Sequence, residues 1–149
     1  MPNDGEGKME INDDVLQMHA VEATKRARQV AETREAHYWE FMGYVGAALQ
    51  TDQGNTYTGI NVSLLCGIGF CAEHSAVAEM VKNGETKIRK IVATTAEGNV
   101  LPPCGRCREM MYQIDESNLD TAVILGSVDK RPLRELLPHN WQNHFDEHL

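Results

Sequence analysis

The residues best suited to chemistry in this chain lie in two short stretches. The first reads C-A-E at residues 71–73, and the second reads P-C-G-R-C at residues 103–107. Thiolate sulfur is a preferred zinc ligand, and a separation of three residues places Cys104 and Cys107 on one face of a helical turn. Three protein ligands leave a tetrahedral zinc with one open position, as in catalytic sites. The spacing therefore predicts a catalytic zinc held by Cys71, Cys104 and Cys107.

A catalytic zinc of this kind needs a proton carrier beside it, because zinc lowers the pKa of water in its open position to near neutrality. Glu73 follows Cys71 by two residues and is the candidate. Zinc deaminases of nucleobases contain H-x-E followed by P-C-x-x-C, and cysteine is allowed as the first ligand. This chain contains C-x-E and then P-C-x-x-C. We therefore predict a hydrolytic deaminase in which Glu73 moves protons and does not bind the metal.

The cysteines also allow two other interpretations. With Cys66 as a fourth ligand, they are sufficient for a closed structural zinc site. The spacing of Cys104 and Cys107 is also that of a redox-active dithiol. Both alternatives leave Glu73 without a role, and Cys66 lies in a glycine-containing stretch that reads as a loop. We expect Cys66 to be a buried free thiol, since free cysteine behaves as a small hydrophobic residue.

Length and charge limit the architecture and the partners. The 149 residues fit one domain, and a net charge of -8 disfavours nucleic acid, whose phosphates bind basic surfaces. No apolar run approaches the roughly 20 residues that span a bilayer, and the polar N-terminus lacks a signal-peptide core. We therefore expect a cytoplasmic protein without a membrane partner. Residues 1–12 are predicted to be a flexible leader, and residues 13–149 a single catalytic domain.

Helical and strand patterns alternate along the domain. Apolar residues recur at helical spacing from residue 13 to residue 36, with Asp13 or Asp14 as the predicted N-cap. We predict a hairpin from 44–49 and 56–61, helices at 72–82 and 105–115, strands at 88–95 and 121–125, and a helical turn at 133–137. This order predicts an α/β/α sandwich. Both cysteine stretches then begin helices, where free N–H groups favour the thiolate form.

These motifs resemble the small zinc-dependent cytidine deaminase family. The resemblance covers about residues 13–141 through V-G-A-A-L, Y-T-G-I-N, C-A-E, P-C-G-R-C-R and E-L-L-P, in that order. Parts of the chain are similar to the blasticidin S deaminases, which also contain C-G-R-C-R and R-E-L-L-P. The resemblance implies a five-stranded mixed sheet with helices on both faces, one zinc per subunit, a homotetramer and a role in pyrimidine salvage.

The resemblance also implies roles for residues around the metal. Asn61 is expected to contact the ribose, the N–H of Ala72 to hold the base carbonyl, and Trp141 to reach a neighbouring subunit's site. Family members usually have a glutamate where this chain has Ser63, and an arginine where it has His74. The substrate therefore remains open between a cytosine nucleoside, such as cytidine or deoxycytidine, and blasticidin S or another substituted cytosine compound. The alternative from a different functional class is a binding module that is stabilised by a structural zinc and has no catalytic activity.

The charge of the metal site predicts a compensating donor. Three thiolates and a hydroxide around zinc sum to about -2, which opposes formation of the nucleophile. Arg106 and Arg108 are the cations nearest in sequence, so we predict that one of them hydrogen-bonds a ligand sulfur. His74 is the next candidate, and it would act only when protonated.

Two other groups of residues have simpler explanations. Met110 and Met111 follow the second cysteine pair and are predicted to be core residues. His139, His144 and His148 are predicted to be part of a solvated tail and not a second metal site.

Overall fold

The computed structural model describes residues 9–32 and 42–146. In chain order the elements are α1 (Asp13–Glu32), β1 (Val45–Thr51), β2 (Thr56–Ile60), β3 (Val62–Ser63), β4 (Gly69–Phe70), α2 (Ala72–Lys82), β5 (Ile88–Thr95), β6 (Val100–Leu101), α3 (Gly105–Ile114), a short 3₁₀ helix (Glu116–Asp120), β7 (Ala122–Ile124), β8 (Lys130–Pro132), α4 (Leu133–Leu136) and α5 (Trp141–Asp146). None of the described helices is both long enough and apolar enough to cross a bilayer.

One mixed sheet organises the molecule. Its strand order is β2-β1-β5-β7-β8, and β6 pairs with β5 on the side that β7 also uses. Strand β1 is antiparallel to β2 and β5, whereas β5 is parallel to β7. The sheet has six strands where the resemblance predicted five, because β6 contributes a two-residue pair after the turn that follows β5. Strands β3 and β4 form a separate small hairpin.

Helices cover both faces of this sheet. Successive side chains of a strand point to opposite faces, so Ala47 and Leu49 pack toward α2 and α3, while Ala48 packs beneath α1. The larger core cluster includes Met80 of α2 and Met111 of α3. The smaller cluster consists of Leu16, Ala20, Ala48, Val92 and Ile124. The predicted three-layer α/β/α sandwich is confirmed.

The chain before α1 contacts the domain. The Asn12 side-chain oxygen accepts the Asp14 N–H at 2.7 Å, so Asn12 is the N-cap and not either aspartate that follows it. The buried ammonium group of Lys90 donates to the Ile11 carbonyl, and the Ile11 side chain packs against the core cluster under α1. The last part of the predicted leader is thus attached to the sheet, and residues 1–8 lie outside the described ranges.

The predicted elements that flank the cysteine stretches are found within one residue of their expected ends. Helix α1 is described as far as Glu32, and residues 33–36 of the predicted helix lie outside the described ranges. The sequence patterns did not indicate β3, β4, β6, β8 or α5. The four strands are only two or three residues long, which is too short to show an alternating pattern.

Candidate active site

The N-termini of α2 and α3 point to one place. Cys71 is the N-cap of α2 and Cys104 is the N-cap of α3, and both have extended backbones. The Sγ atoms of both N-cap cysteines lie at the starts of the two helices, where they are available to a metal. Cys107 is the third residue of α3 and is buried. The partial positive charge of two helix N-termini therefore favours thiolates here.

The three predicted ligand sulfurs lie close together. Cys104 Sγ is 3.4 Å from Cys71 Sγ and 3.4 Å from Cys107 Sγ. These distances are far longer than a disulfide bond of about 2.05 Å. Zn–S bonds of about 2.3 Å in tetrahedral geometry separate two sulfurs by about 3.8 Å. The sulfur spacing therefore fits one zinc ion.

His74 joins this cluster. Its Nδ1 lies 3.5 Å from Cys107 Sγ, and the ligand atoms of Cys71, His74 and Cys107 all lie within 4.8 Å of one another. His74 is the third residue of α2, just as Cys107 is the third residue of α3. Each helix thus offers its N-cap residue and its third residue. If all four bound zinc, the site would be closed; if His74 donates its N–H to a sulfur instead, one metal position stays open.

The pKa values of the candidate ligand groups shift in different directions. Burial raises the pKa of the Cys71 and Cys107 thiols, and the nearby Glu73 carboxylate contributes to both shifts. Burial also opposes ionisation of Cys104, but hydrogen bonds from the Cys107 N–H, neighbouring thiols and the Arg106 N–H hold its pKa below the ordinary value. Burial, with a contribution from the charge of Arg106, lowers the pKa of His74. The imidazole is therefore neutral near pH 7, and Cys104 is the thiol that ionises most readily.

Glu73 lies in the first turn of α2, beside the sulfurs. Its side chain is buried, and this burial raises the pKa of the carboxyl group. The neighbouring Cys107 thiol partly offsets this rise in the pKa of Glu73. A raised pKa makes a buried carboxylate a better proton acceptor, which favours a role as a general acid–base catalyst.

A cavity of about 370 Å³ opens beside the cluster. Three of the four predicted substrate-binding residues line it, namely Asn61, Ser63 and Ala72. The side-chain oxygen of Asn61 accepts the Val45 N–H at 2.9 Å, which fixes the orientation of the amide. Other lining residues include Gly69, Phe70, Glu73, Ala93, Leu101, Pro102 and Arg106.

Trp141, the fourth predicted substrate-binding residue, begins α5 and is not part of this cavity lining. Its side chain is 62% exposed and stacks on Phe145 with ring centroids 4.8 Å apart. Its backbone N–H donates to Glu109 at 3.1 Å. Within one subunit, the tryptophan ring is therefore available to a neighbouring molecule.

The two arginines lie differently from each other. Arg106 is exposed at the cavity, whereas Arg108 donates its Nε to the Pro103 carbonyl at 2.8 Å and a terminal nitrogen to the Leu136 carbonyl at 2.9 Å. Arg108 therefore holds the residue just before Cys104 against the end of α4. The sequence predicted an arginine hydrogen-bonded to a ligand sulfur. Among the described contacts, the His74 ring lies beside Cys107 Sγ instead.

We expect Arg108→Gln to weaken zinc binding. The substitution removes two charge-assisted hydrogen bonds, one to the Pro103 carbonyl and one to the Leu136 carbonyl, and loss of such supporting contacts lowers metal affinity by about 10–100-fold. Competition with a chromogenic chelator measures this change. Arg26→Gln is the control, because the Arg26 side chain is exposed on α1 and pairs only with Glu22 among the described residues. Equal zinc affinity in Arg108→Gln and the wild type would contradict this role.

The remaining predicted residues lie away from the ligand group. Cys66 is exposed in the turn between β3 and β4, so the prediction that it is buried is wrong. The tight turn, closed by a hydrogen bond from the Leu64 N–H to the Ile68 carbonyl, leaves little to cover it. The ligand group found among the described residues does not include Cys66.

The structure also describes both methionines of α3 and two of the three C-terminal histidines. Met111 is fully buried and Met110 packs against the core, as predicted. The rings of His139 and His144 have centroids 6.3 Å apart, and His148 lies outside the described ranges.

Comparison with known proteins identifies the family of this site. A family model described as the cytidine and deoxycytidylate deaminase zinc-binding region matches residues 18–123. The chain belongs to this deaminase family. A cytidine deaminase of Mycobacterium tuberculosis is 36% identical over 95 residues, which are 63% of this chain and 69% of that protein. A blasticidin-S deaminase of Bacillus cereus is 26% identical over 78% of this chain and 84% of that protein.

Solved structures of deaminases also superpose on this fold. The crystal structure of the cytidine deaminase from Mycobacterium tuberculosis matches with a TM-score of 0.70 and 27% identity, covering 89% of this chain and 98% of that chain. The cytidine deaminase from Mycobacterium leprae also has a TM-score of 0.70 and 27% identity, covering 87% of this chain and 100% of that chain. This deaminase is therefore a zinc-dependent hydrolytic enzyme, as its motifs predicted.

Proposed function

We propose that this deaminase converts a cytosine nucleoside, cytidine or deoxycytidine, to the uracil form with release of ammonia. The observation that carries this proposal is the convergence of three sulfurs on the buried Glu73 beside a nucleoside-sized cavity. A volume of about 370 Å³ suits a small polar substrate. Relatives named cytidine deaminase support the same substrate class.

The metal is assigned to Cys71, Cys104 and Cys107, with one zinc per subunit. The spacing of the sulfurs supports this set, and His74 then donates its Nδ1–H to Cys107 Sγ. When bound, zinc supplies the Lewis acidity that makes a water molecule nucleophilic near neutral pH. The N–H of the neutral His74 stabilises the Cys107 thiolate by hydrogen bonding but adds no positive charge, unlike the arginine that the sequence predicted in this place.

Glu73 is assigned to proton transfer. The carboxylate takes a proton from the attacking water and delivers it to N3 of the base. It then takes the remaining proton from the new C4 hydroxyl group and gives it to the departing amine, so that the C4–N bond breaks and ammonia leaves as the C4 carbonyl forms. The raised pKa of this buried carboxyl supports the cycle, because the group must accept and release protons in turn. The first position of α2 places the Ala72 N–H beside Glu73, where it can hold the carbonyl oxygen of the base.

Asn61 and Trp141 are assigned to contacts with the sugar and with a neighbouring subunit. Asn61 contacts the ribose, and its fixed amide orientation supports this role. The exposed, stacked Trp141 supports contact with a neighbouring subunit's site in a homotetramer. A nucleoside substrate is consistent with pyrimidine salvage in the cytoplasm.

A second candidate substrate is blasticidin S or another substituted cytosine compound. Ser63 favours it, because this cavity residue occupies the position where the family usually has a sugar-binding glutamate. The similarity to a blasticidin-S deaminase supports the same alternative. Initial rates of ultraviolet absorbance change with cytosine, cytidine, deoxycytidine, N4-substituted cytidines and blasticidin S separate the two substrates. A preference for blasticidin S over cytidine would replace the first proposal by the second.

The serine also leads to a prediction about sugar selectivity. A hydrogen bond to a charged group contributes about 1.5–3 kcal/mol and one between neutral groups about 0.5–1.5 kcal/mol. Because Ser63 is neutral, removing the ribose 3′-hydroxyl should lower kcat/KM by less than about tenfold. The comparison is cytidine against 3′-deoxycytidine, repeated in Ser63→Glu, which should increase the penalty. A wild-type penalty of about a hundredfold or more would show that another residue holds the sugar.

A further inference from the structure

Ser75 connects the two parts of the proposed substrate site. Its Oγ accepts the Ile60 N–H at 2.8 Å and donates to the Ala72 carbonyl at 3.3 Å. Ile60 immediately precedes Asn61, which we assign to the sugar, and Ala72 immediately precedes Glu73. One hydroxyl group thus joins the end of β2 to the start of α2.

The approach of strand and helix at this point is unusually close. A Cβ at Gly59 would lie 2.0 Å from Ser75 Oγ and 2.5 Å from the Ala72 carbonyl oxygen. Both distances are below any normal van der Waals contact, so only glycine fits this position of β2. The strand and the helix therefore have little room to move relative to each other, and the position of Ser75 determines where the end of β2 lies.

Among the described residues, no further strand pairs with the outer edge of β2. β2 is the edge strand of the sheet and pairs only with β1, where Ile60 is opposite Gly46. An edge strand leaves every second backbone N–H pointing away from the sheet. The Ser75 hydroxyl accepts one of these N–H groups, in the place where a further strand would supply a carbonyl.

We propose that Ser75 is a positioning residue that sets the spacing between the sugar contact at Asn61 and the base contact at Ala72. Ser75 is not among the residues that line the cavity, so it acts through its neighbours and not on the substrate. This inference rests on the proposed function for the roles of Asn61 and Ala72. The hydrogen bonds themselves do not depend on those roles.

A double-mutant cycle tests the coupling. Ser75→Ala should lower kcat/KM for cytidine by about tenfold, the loss expected for one or two neutral hydrogen bonds, mainly through KM. In the Asn61→Ala background the same substitution should cost less than about twofold, because the contact that Ser75 positions is already missing. Zinc content should stay at the wild-type level. Equal penalties in both backgrounds would indicate a general structural role and overturn the proposal.

Thr58→Ala is the matched control. Thr58 is an exposed residue of the same strand, and this substitution also removes one hydroxyl group. It should leave kcat/KM within about twofold of the wild type, since a surface change of this kind costs less than about 0.5 kcal/mol. If Thr58→Ala reproduced the loss and the coupling of Ser75→Ala, the effect would belong to the strand in general and the proposal would fail.

Amide hydrogen exchange tests the same inference without activity. In Ser75→Ala the Ile60 amide should exchange at least about tenfold faster under native conditions, while core amides of β5 keep their wild-type rates. If Ser75→Ala does not fold, Ser75→Cys takes its place, since it keeps the shape of the side chain but weakens the hydrogen-bond acceptor. Its increase in the exchange rate of the Ile60 amide should be smaller. Unchanged exchange at Ile60 would overturn the proposal that Ser75 positions the end of β2. Absence of deamination by the wild type would instead overturn the proposed function.

Discussion

Replacing Glu73 by Gln is expected to lower kcat by about 10²–10⁴-fold while one zinc per chain is retained. The amide preserves the size of the buried side chain, but it cannot accept a proton from water or return one to N3 of the base. Glu73→Ala should give a similar loss. Because Glu73 is proposed to transfer protons and not to bind the metal, zinc content must be measured on the same samples as the rate.

Glu79→Gln is the matched control on the same helix. The Glu79 side chain is exposed and pairs with Lys82 at 2.7 Å, so its loss should change the rate by less than about twofold. Two results would contradict the role of Glu73. Wild-type activity in Glu73→Gln would require another proton carrier, and loss of zinc in that variant would make Glu73 a ligand.

Removal of any one of the three assigned ligands should empty the zinc site. Cys71→Ala, Cys104→Ala and Cys107→Ala should each lose tightly bound zinc and, because metal binding is coupled to folding, should melt at lower temperature than the wild type. Elemental analysis gives the zinc content, and thermal melting followed by circular dichroism gives the stability. Cys66→Ala is the control that retains zinc, because Cys66 is exposed in the β3–β4 turn.

His74→Ala decides between the ligand sets that the geometry allows. If His74 only donates to Cys107 Sγ, the variant should retain zinc and lose about 10–100-fold in activity. Loss of zinc from His74→Ala with retention in Cys104→Ala would assign the metal to Cys71, His74 and Cys107. Loss from all four variants would indicate a closed site with four ligands, which is the arrangement of a structural zinc.

The sequence was sufficient to predict the elements that present the site. C-A-E and P-C-G-R-C each fix a helix start, and the structure places Cys71 and Cys104 at the N-caps of α2 and α3. The alternating and helical patterns on either side were long enough to predict the sandwich. These signals are local, since each depends on residues within one helical turn or one strand.

What the sequence could not predict depends on contacts between distant segments. Arg108 holds a carbonyl from its own loop and one from Leu136, and nothing in the spacing of the cysteines indicates this. The sequence indicated His74 only as a candidate after the two arginines, because its position beside Cys107 follows from how α2 packs against α3. Its signal was present, because a histidine three residues after Cys71 repeats the spacing of the second cysteine pair.

Isotope labelling distinguishes hydrolytic deamination of a cytosine nucleoside from every other outcome for this site. Zinc-loaded wild-type protein is incubated with cytidine in water labelled with a heavy oxygen isotope, and the product is analysed by mass spectrometry beside an assay for ammonia. We expect uridine that carries the label on the C4 oxygen, formed in equal amount to ammonia, and a rate about 10²–10⁴-fold lower in Glu73→Gln. Unlabelled product, or no ammonia from cytidine and deoxycytidine with zinc bound, would contradict it.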